Sequence, residues 1–176
     1  TKGAYLLEEI GVKGPTVRLL GSGPILNIVR EAATIISEKY GVRSEVWSIT
    51  SYGELRRIGL EHDRAKRLDT SNNSLPYVSK CFGDGTPTVA VSDHISSVPE
   101  MIQKWVGGRY TVLGTDGFGR SDSREDLRKF FEIDINHVVI AALSSLEQDG
   151  LLPLGTVKEE LNIKGISSSK REDITE

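Results

Sequence analysis

The sequence has very little sulfur chemistry available to it. Cys81 is its only cysteine, which excludes an internal disulfide, and a lone thiol suits a reducing compartment. No apolar run is long enough to cross a bilayer, and no signal peptide is visible. The net charge of −3 offers no electrostatic attraction for nucleic acid or an anionic membrane. We therefore expect a cytoplasmic protein with no nucleic-acid and no membrane partner.

Several motifs for catalysis and cofactor binding are also missing. The sequence has neither a G-K-S/T phosphate loop nor a G-x-S-x-G nucleophile elbow. Its three histidines, His62, His94 and His137, stand apart without the spacing of metal ligands. Gly21-Ser22-Gly23 lacks the third glycine of the dinucleotide fingerprint, because Leu26 occupies that position. This favours a tight turn, with phosphate binding as the alternative.

Gly83-Asp84-Gly85 matches only the start of the thiamine diphosphate motif. That motif needs an asparagine a few tens of residues later, and none occurs between Asn73 and Asn136. The triplet also follows no predicted strand. We therefore interpret it as a turn before the strand that starts at Thr88.

The sequence does contain a regular alternation of strand and helix patterns. At 176 residues and 38% hydrophobic, it fits one globular domain. The pattern predicts an α/β fold with a mostly parallel sheet and helices on both faces. We expect an edge strand at Tyr5–Ile10 and four central strands at Thr16–Leu20, Glu45–Ile49, Thr88–Ser92 and Tyr110–Leu113.

Helical spacing and capping residues place the helices between these strands. Beyond Lys164 the sequence is polar, so we predict a domain at residues 1–163 and a disordered tail at residues 164–176. The start at Thr1 rather than methionine suggests a fragment of a longer protein. The predicted helices are Pro24–Tyr40, Tyr52–Ile58, Leu60–Leu68, Pro76–Phe82, His94–Val106 with an interruption at Pro99, Ile135–Gln148 and Thr156–Leu161.

The stretch from Tyr110 to Phe131 combines a strand, a glycine-rich loop and a capped helix. Asp122 or Ser123 can cap that helix, with Glu125 completing a capping box if Asp122 is the cap. Loops of this kind lie at the carboxyl ends of strands, where open α/β sheets bind ligands or partners. The candidate contact residues are Gly114, Asp116, Gly117, Phe118, Gly119, Arg120, Ser121 and Asp122.

Two roles for these polar side chains stay open. They can bind an anion or a partner subunit. Alternatively, the aspartates and the serine satisfy loop amides and cap the helix, while Arg120 and Arg124 pair with carboxylates. We expect the segment from Gly114 to Ser123 to be a rigid contact surface rather than a flexible lid. Phe118, between two glycines, is expected to pack on a neighbouring domain or subunit.

Three separated blocks of this sequence carry a family resemblance. The loop G-T-D-G-F-G-R-S-D-S, which starts at Gly114, resembles the C-terminal domain of transketolase-like enzymes. The longer run through Arg128 is similar to one branch, the homodimeric-type bacterial pyruvate dehydrogenase E1 component. The blocks L-L-G-S-G-P-I-L at Leu19–Leu26 and V-W-S-I-T-S-Y-G-E-L at Val46–Leu55 agree with that branch.

The resemblance implies a three-layer α/β/α domain with five strands, one of them antiparallel, for which Tyr5–Ile10 is the candidate. It implies an enzyme that uses thiamine diphosphate and Mg²⁺, both bound by other domains, so no catalytic, cofactor or metal residue is assigned here. The implied partners are the remaining domains of the same chain, the dimer mate and the lipoyl-bearing E2 component. An autonomous anion- or nucleotide-binding module, a partner-docking domain of another family and a transketolase C-terminal domain remain alternatives.

Overall fold

A five-stranded sheet forms the centre of the computed structural model, which describes residues 2–117, 119 and 121–167. The strand order across the sheet is β1-β3-β2-β4-β5. β1 pairs antiparallel with β3, and the other neighbours pair in parallel, which confirms the predicted sheet and its antiparallel strand. The strands are β1 (Ala4–Ile10), β2 (Thr16–Gly21), β3 (Arg43–Ile49), β4 (Thr88–Val91) and β5 (Tyr110–Leu113).

The position of β5 differs from the prediction. The apolar sequence predicted a central strand, but β5 lies at one edge of the sheet and pairs only with β4. Tyr110 and Val112 pack against the core on one face, and Leu113 packs against the core on the other. The apolar run therefore reflects two covered faces, not two paired edges.

Helices cover both faces of the sheet and make the molecule three layers deep. Alternation along β2 shows this directly, because Val17 and Leu19 join the core on one face of the sheet, whereas Leu20 joins the core on the other face. The helices are α1 (Ile25–Tyr40), α2 (Tyr52–Leu68), α3 (Tyr77–Phe82), α4 (Ser97–Glu100), α5 (Arg124–Phe130), α6 (Ile135–Gln148) and α7 (Thr156–Lys164), with a 3-10 turn at Gln103–Trp105.

The second helix is continuous, whereas the sequence predicted two segments separated at Gly59. Gly59 is buried in the middle of α2. A Cβ atom at this position would lie 2.7 Å from the indole ring of Trp105. The glycine is therefore needed for close packing of the helix against Trp105 and does not interrupt the helix.

The predicted helix from His94 to Val106 is confirmed only in part. Only α4 and the 3-10 turn form there, and Pro99 lies inside α4. The residues before α4 are held in a turn, because Ser92 Oγ accepts a hydrogen bond from the His94 amide at 3.1 Å. The His94 carbonyl accepts one from the Thr115 amide at 3.0 Å.

The last helix is longer than predicted. α7 continues past Leu161 to Lys164 and ends at Gly165, which has a φ of 63°. The first residue of the predicted tail is therefore helical, and residues 168–176 lie outside the described part of the chain. Across the described ranges, no helix combines the length and apolarity needed to span a bilayer.

Candidate contact surface

The glycine loop after β5 is tied to the loop after β4 by four hydrogen bonds among the described residues. The Thr115 amide donates to the His94 carbonyl at 3.0 Å, and Thr115 Oγ1 donates to the Asp93 carbonyl at 3.0 Å. The carboxylate of Asp116 accepts two hydrogen bonds from Ser96, one from its amide at 2.9 Å and one from its hydroxyl at 2.5 Å. The two loops at this carboxyl edge of the sheet therefore hold one another in place.

Gly114 allows this close approach. A Cβ atom on Gly114 would lie 2.7 Å from both the amide nitrogen and the hydroxyl oxygen of Ser96, so a larger residue would push the loops apart. Gly117 has a φ of 110°, which side-chain-bearing residues rarely adopt. These two glycines thus have different roles, one steric and one conformational.

The structure brings some predicted site residues together and leaves others apart. Asp116 is internally bonded, and Asp122 Oδ1 accepts a hydrogen bond from the Ser123 amide at 2.7 Å. These contacts favour the internal role for the two aspartates. Gly117, Gly119 and Ser121 are exposed on the outer side of the loop. Phe118 and Arg120 lie outside the described residues.

The cap of α5 is Ser123 rather than Asp122. Ser123 Oγ accepts a hydrogen bond from the Asp126 amide at 3.2 Å and also bonds to the Asp126 carboxylate. The capping box predicted with Asp122 and Glu125 does not form, because Ser123 is the cap and its own amide donates to Asp122 Oδ1 rather than to a carboxylate of the first turn.

α5 is unusual among the helices because none of its residues from Arg124 to Phe130 is fully buried. It bounds two neighbouring clefts against α1 and the start of α6. Leu127 and Arg128 are half-buried on the cleft side, whereas Glu125 and Asp126 are exposed. Loop and helix together form an ordered, largely uncovered surface, which we call the carboxyl-edge surface and define as the described residues of 114–130.

A match between this sequence and a protein-family model identifies the family of the chain. Residues 3–134 match the model of the transketolase-like TK C-terminal domain. The chain belongs to this family. The match ends at the residue before α6, so both α6 and α7 lie beyond the matched part of this transketolase-like C-terminal domain.

Curated relatives of the domain are pyruvate dehydrogenase E1 components. The one from Pseudomonas aeruginosa is 44% identical over 97% of this chain and 20% of its own length. The one from Escherichia coli is 44% identical over 96% of this chain and 19% of its own length. The chain thus spans about a fifth of the length of these relatives.

Solved structures of transketolases share the fold. Transketolase from Leishmania mexicana has a TM-score of 0.56 at 23% identity, covering 90% of this chain and 20% of its own. The enzyme from Campylobacter jejuni has a TM-score of 0.54 at 20% identity, covering 81% of this chain and 18% of its own. These similarities support the three-layer architecture of a transketolase-like C-terminal domain.

One feature of the domain could not be seen in the sequence, namely an ion pair between a buried arginine and the predicted turn at Gly83–Gly85. Arg18 on β2 is only 2% exposed, and its guanidinium bonds both oxygens of Asp84, at 3.1 and 2.9 Å. Arg18 Nε also bonds Glu45 at 2.9 Å. The hydrogen bonds from Arg18 lower the pKa of Asp84 to about 2.

The side chains of His62 and His137 make structural contacts, whereas His94 is exposed after β4. His62 Nε2 lies 2.8 Å from the Ser74 carbonyl, and His137 Nδ1 lies 2.9 Å from Asp134 Oδ1. His137 is half-buried. Burial raises the pKa of Cys81, which suits an unreactive thiol. Among the residues that the structure describes, no three His, Cys, Asp or Glu side chains are grouped as metal ligands.

Proposed function

We propose that this chain is the C-terminal domain of a pyruvate dehydrogenase E1 component. Such an enzyme oxidatively decarboxylates pyruvate with thiamine diphosphate and transfers the acetyl group to a lipoyl-bearing E2 component. The support comes from the curated E1 relatives at 44% identity over nearly the whole chain. Transketolases, the alternative within the family, match at 23% identity or less among the structures compared above.

Within that enzyme, the proposed role of the domain is assembly, with catalysis left to other domains. Its partners would be the remaining domains of the same chain and the dimer mate, with lipoyl-bearing E2 as a partner of the whole enzyme. The observation that carries this role is the carboxyl-edge surface, whose backbone is fixed by Thr115 and Asp116 while its outer side and α5 stay largely uncovered. A preformed surface loses little conformational entropy when a partner binds.

The turn after β2 does not favour the alternative of an autonomous phosphate-binding module. The amides of Ile25 and Leu26, which begin α1, already donate to the carbonyls of Ser22 and Gly23 at 3.1 and 3.2 Å. A Cβ atom on Gly21 would lie 2.9 Å from the Cα atom of Leu26, so Gly21 serves the packing of the turn against the helix.

A substitution on the outer side of the loop tests the assembly role. Ser121 is exposed, so Ser121→Trp should leave the folding of the domain unchanged and block the contact by its bulk. We expect the full-length enzyme with Ser121→Trp to lose dimerisation or turnover at least about tenfold, the equivalent of about 1.4 kcal/mol. Analytical ultracentrifugation and the pyruvate decarboxylation rate are the measurements.

The matched control is Thr70→Trp, which adds the same side chain to an exposed position after α2. Equal losses from the two variants would show a general effect of surface tryptophan. Full activity and normal dimerisation with Ser121→Trp would disprove the role of this surface.

A further inference from the structure

The smaller cleft beside α5 occupies a special position in the sheet. The chain leaves β2 through α1 toward β3 on one side, and it later forms β4 on the other side of β2. Pro24 and Ile25 after β2, Asp93 after β4 and Thr115 after β5 all line this cleft. Open α/β sheets bind their ligands at such reversal points, outside the carboxyl ends of the strands.

Two arginines supply positive charge to the cleft. Arg124 and Arg128 are four residues apart on α5, hence on the same side of the helix, and both line the cleft. Neither forms an ion pair with any residue that the structure describes. Like charges at this spacing repel one another, and an anion between them would relieve that repulsion.

The rest of the lining is mainly apolar. Ile25 and Ile133 are buried, and Leu127 and Phe131 are half-buried at the cleft wall. The cleft has a volume of about 550 Å³, which is in the range of small-molecule sites. Asp93 is the one carboxylate among the lining residues, so the charged groups of the cleft carry a net single positive charge.

The larger cleft on the other side of α5 lacks this imbalance. Its lining includes three cations and three carboxylates, and one of those carboxylates, Asp134, accepts hydrogen bonds from His137. The two clefts share Pro24, Arg124 and Arg128. The excess charge and the apolar wall therefore coincide only in the smaller cleft.

We infer that the smaller cleft binds a small organic anion. A phosphate or carboxylate group would lie between Arg124 and Arg128, where guanidinium groups form charge-assisted hydrogen bonds. The apolar body of the ligand would pack on Leu127, Phe131 and Ile25. This site goes beyond the proposed function, because it does not require the loop to contact another domain.

Phenyl phosphate is a suitable probe, since it joins a phosphate to an apolar ring. We expect it to bind the chain with a Kd below about 1 mM at low salt, and inorganic phosphate to bind at least about tenfold more weakly. The double variant R124Q/R128Q should bind phenyl phosphate at least about tenfold more weakly than the wild type. Titration by NMR measures the affinity, and amide shifts at Asp93, Thr115 and Leu127 locate the site without any substitution.

The matched control is R64Q/R67Q, which removes two exposed arginines on α2 that likewise form no ion pair with described residues. It should bind phenyl phosphate as the wild type does. Equal weakening by both double variants would mean general charge attraction and would overturn the inference. So would shifts located elsewhere, no binding at about 10 mM, or equal affinity for inorganic phosphate.

Discussion

At the scale of single residues, Arg18 is the side chain whose environment departs most from expectation. A buried arginine on a central strand needs carboxylate partners, and here they come from a neighbouring strand and from a turn 66 positions away in sequence. Its guanidinium carbon also lies 5.5 Å from the centre of the Phe82 ring. Arg18 therefore fixes the turn at Asp84 against the sheet.

Replacing Arg18 should destabilise the domain more than replacing Asp84. Arg18→Met leaves Glu45, which is 18% exposed, without its charged partner. Loss of one partner of a buried pair costs about 3–5 kcal/mol, and we expect the lower end because Glu45 is only partly buried and Asp84 is 58% exposed. Asp84→Asn should cost less than about 1 kcal/mol. Urea unfolding measures both.

The contribution of Asp84 should also depend on pH. Its folded-state pKa of about 2 lies below the ordinary value of 3.8, so ionised Asp84 stabilises the fold above about pH 4. The difference between wild type and Asp84→Asn should shrink as pH falls from about 4 toward 2. A difference that stays constant over this range, or equal losses for Arg18→Met and Asp84→Asn at neutral pH, would contradict this account.

At the scale of elements, local signals in the sequence identified the strands and most helix ends. α1 ends at Tyr40 as predicted, where Gly41 has a φ of 62°, and α6 runs from Ile135 to Gln148 as predicted, with Asp134 as its cap. The errors arose where a distant residue decides the outcome. Gly59 suggested a break in the helix because Trp105, the residue whose packing requires a glycine there, is 46 positions away in sequence. The edge position of β5 depends on the order of the strands in the sheet and not on the residues of β5 itself.

The cap of α5 gives a direct test at this scale. Ser123→Ala removes the acceptor for the Asp126 amide, and an N-cap of this kind contributes about 1 kcal/mol. Amide exchange in the first turn of α5 should therefore quicken about fivefold. The free energy of global unfolding should change little, because α5 buries no residue completely.

Asp122→Ala is the matched control for the cap. Among the described residues, Asp122 accepts a hydrogen bond only from the Ser123 amide, which lies outside the helix, so its effect on exchange within α5 should be about twofold or less. A larger effect from Asp122→Ala than from Ser123→Ala would restore the capping arrangement first predicted from the sequence.

At the scale of the whole molecule, the candidate site was predicted better in position than in chemistry. The glycine loop could be placed at the carboxyl edge because it follows a strand and precedes a capped helix. The hydrogen bonds between this loop and Ser96 could not be predicted, because Ser96 and Asp116 are 20 positions apart in sequence. Arg124 and Arg128 showed no distinguishing signal, since the cleft they line forms only when α1, α5 and the strand ends come together.

The arrangement of the domain also leads to a prediction about the cofactor. The metal ion that holds a diphosphate needs free carboxylate and amide oxygens as ligands. The only triplet in the sequence that matches the start of the thiamine diphosphate motif is Gly83-Asp84-Gly85, and its aspartate is bonded to Arg18 and to the Thr86 amide. We therefore expect the 176-residue chain alone not to bind thiamine diphosphate in the presence of Mg²⁺. Calorimetry should show no heat of binding, and pyruvate should not be decarboxylated. A full-length E1 component is the positive control. Micromolar binding by the chain alone, equivalent to about −8 kcal/mol, would contradict the placement of the cofactor in other domains.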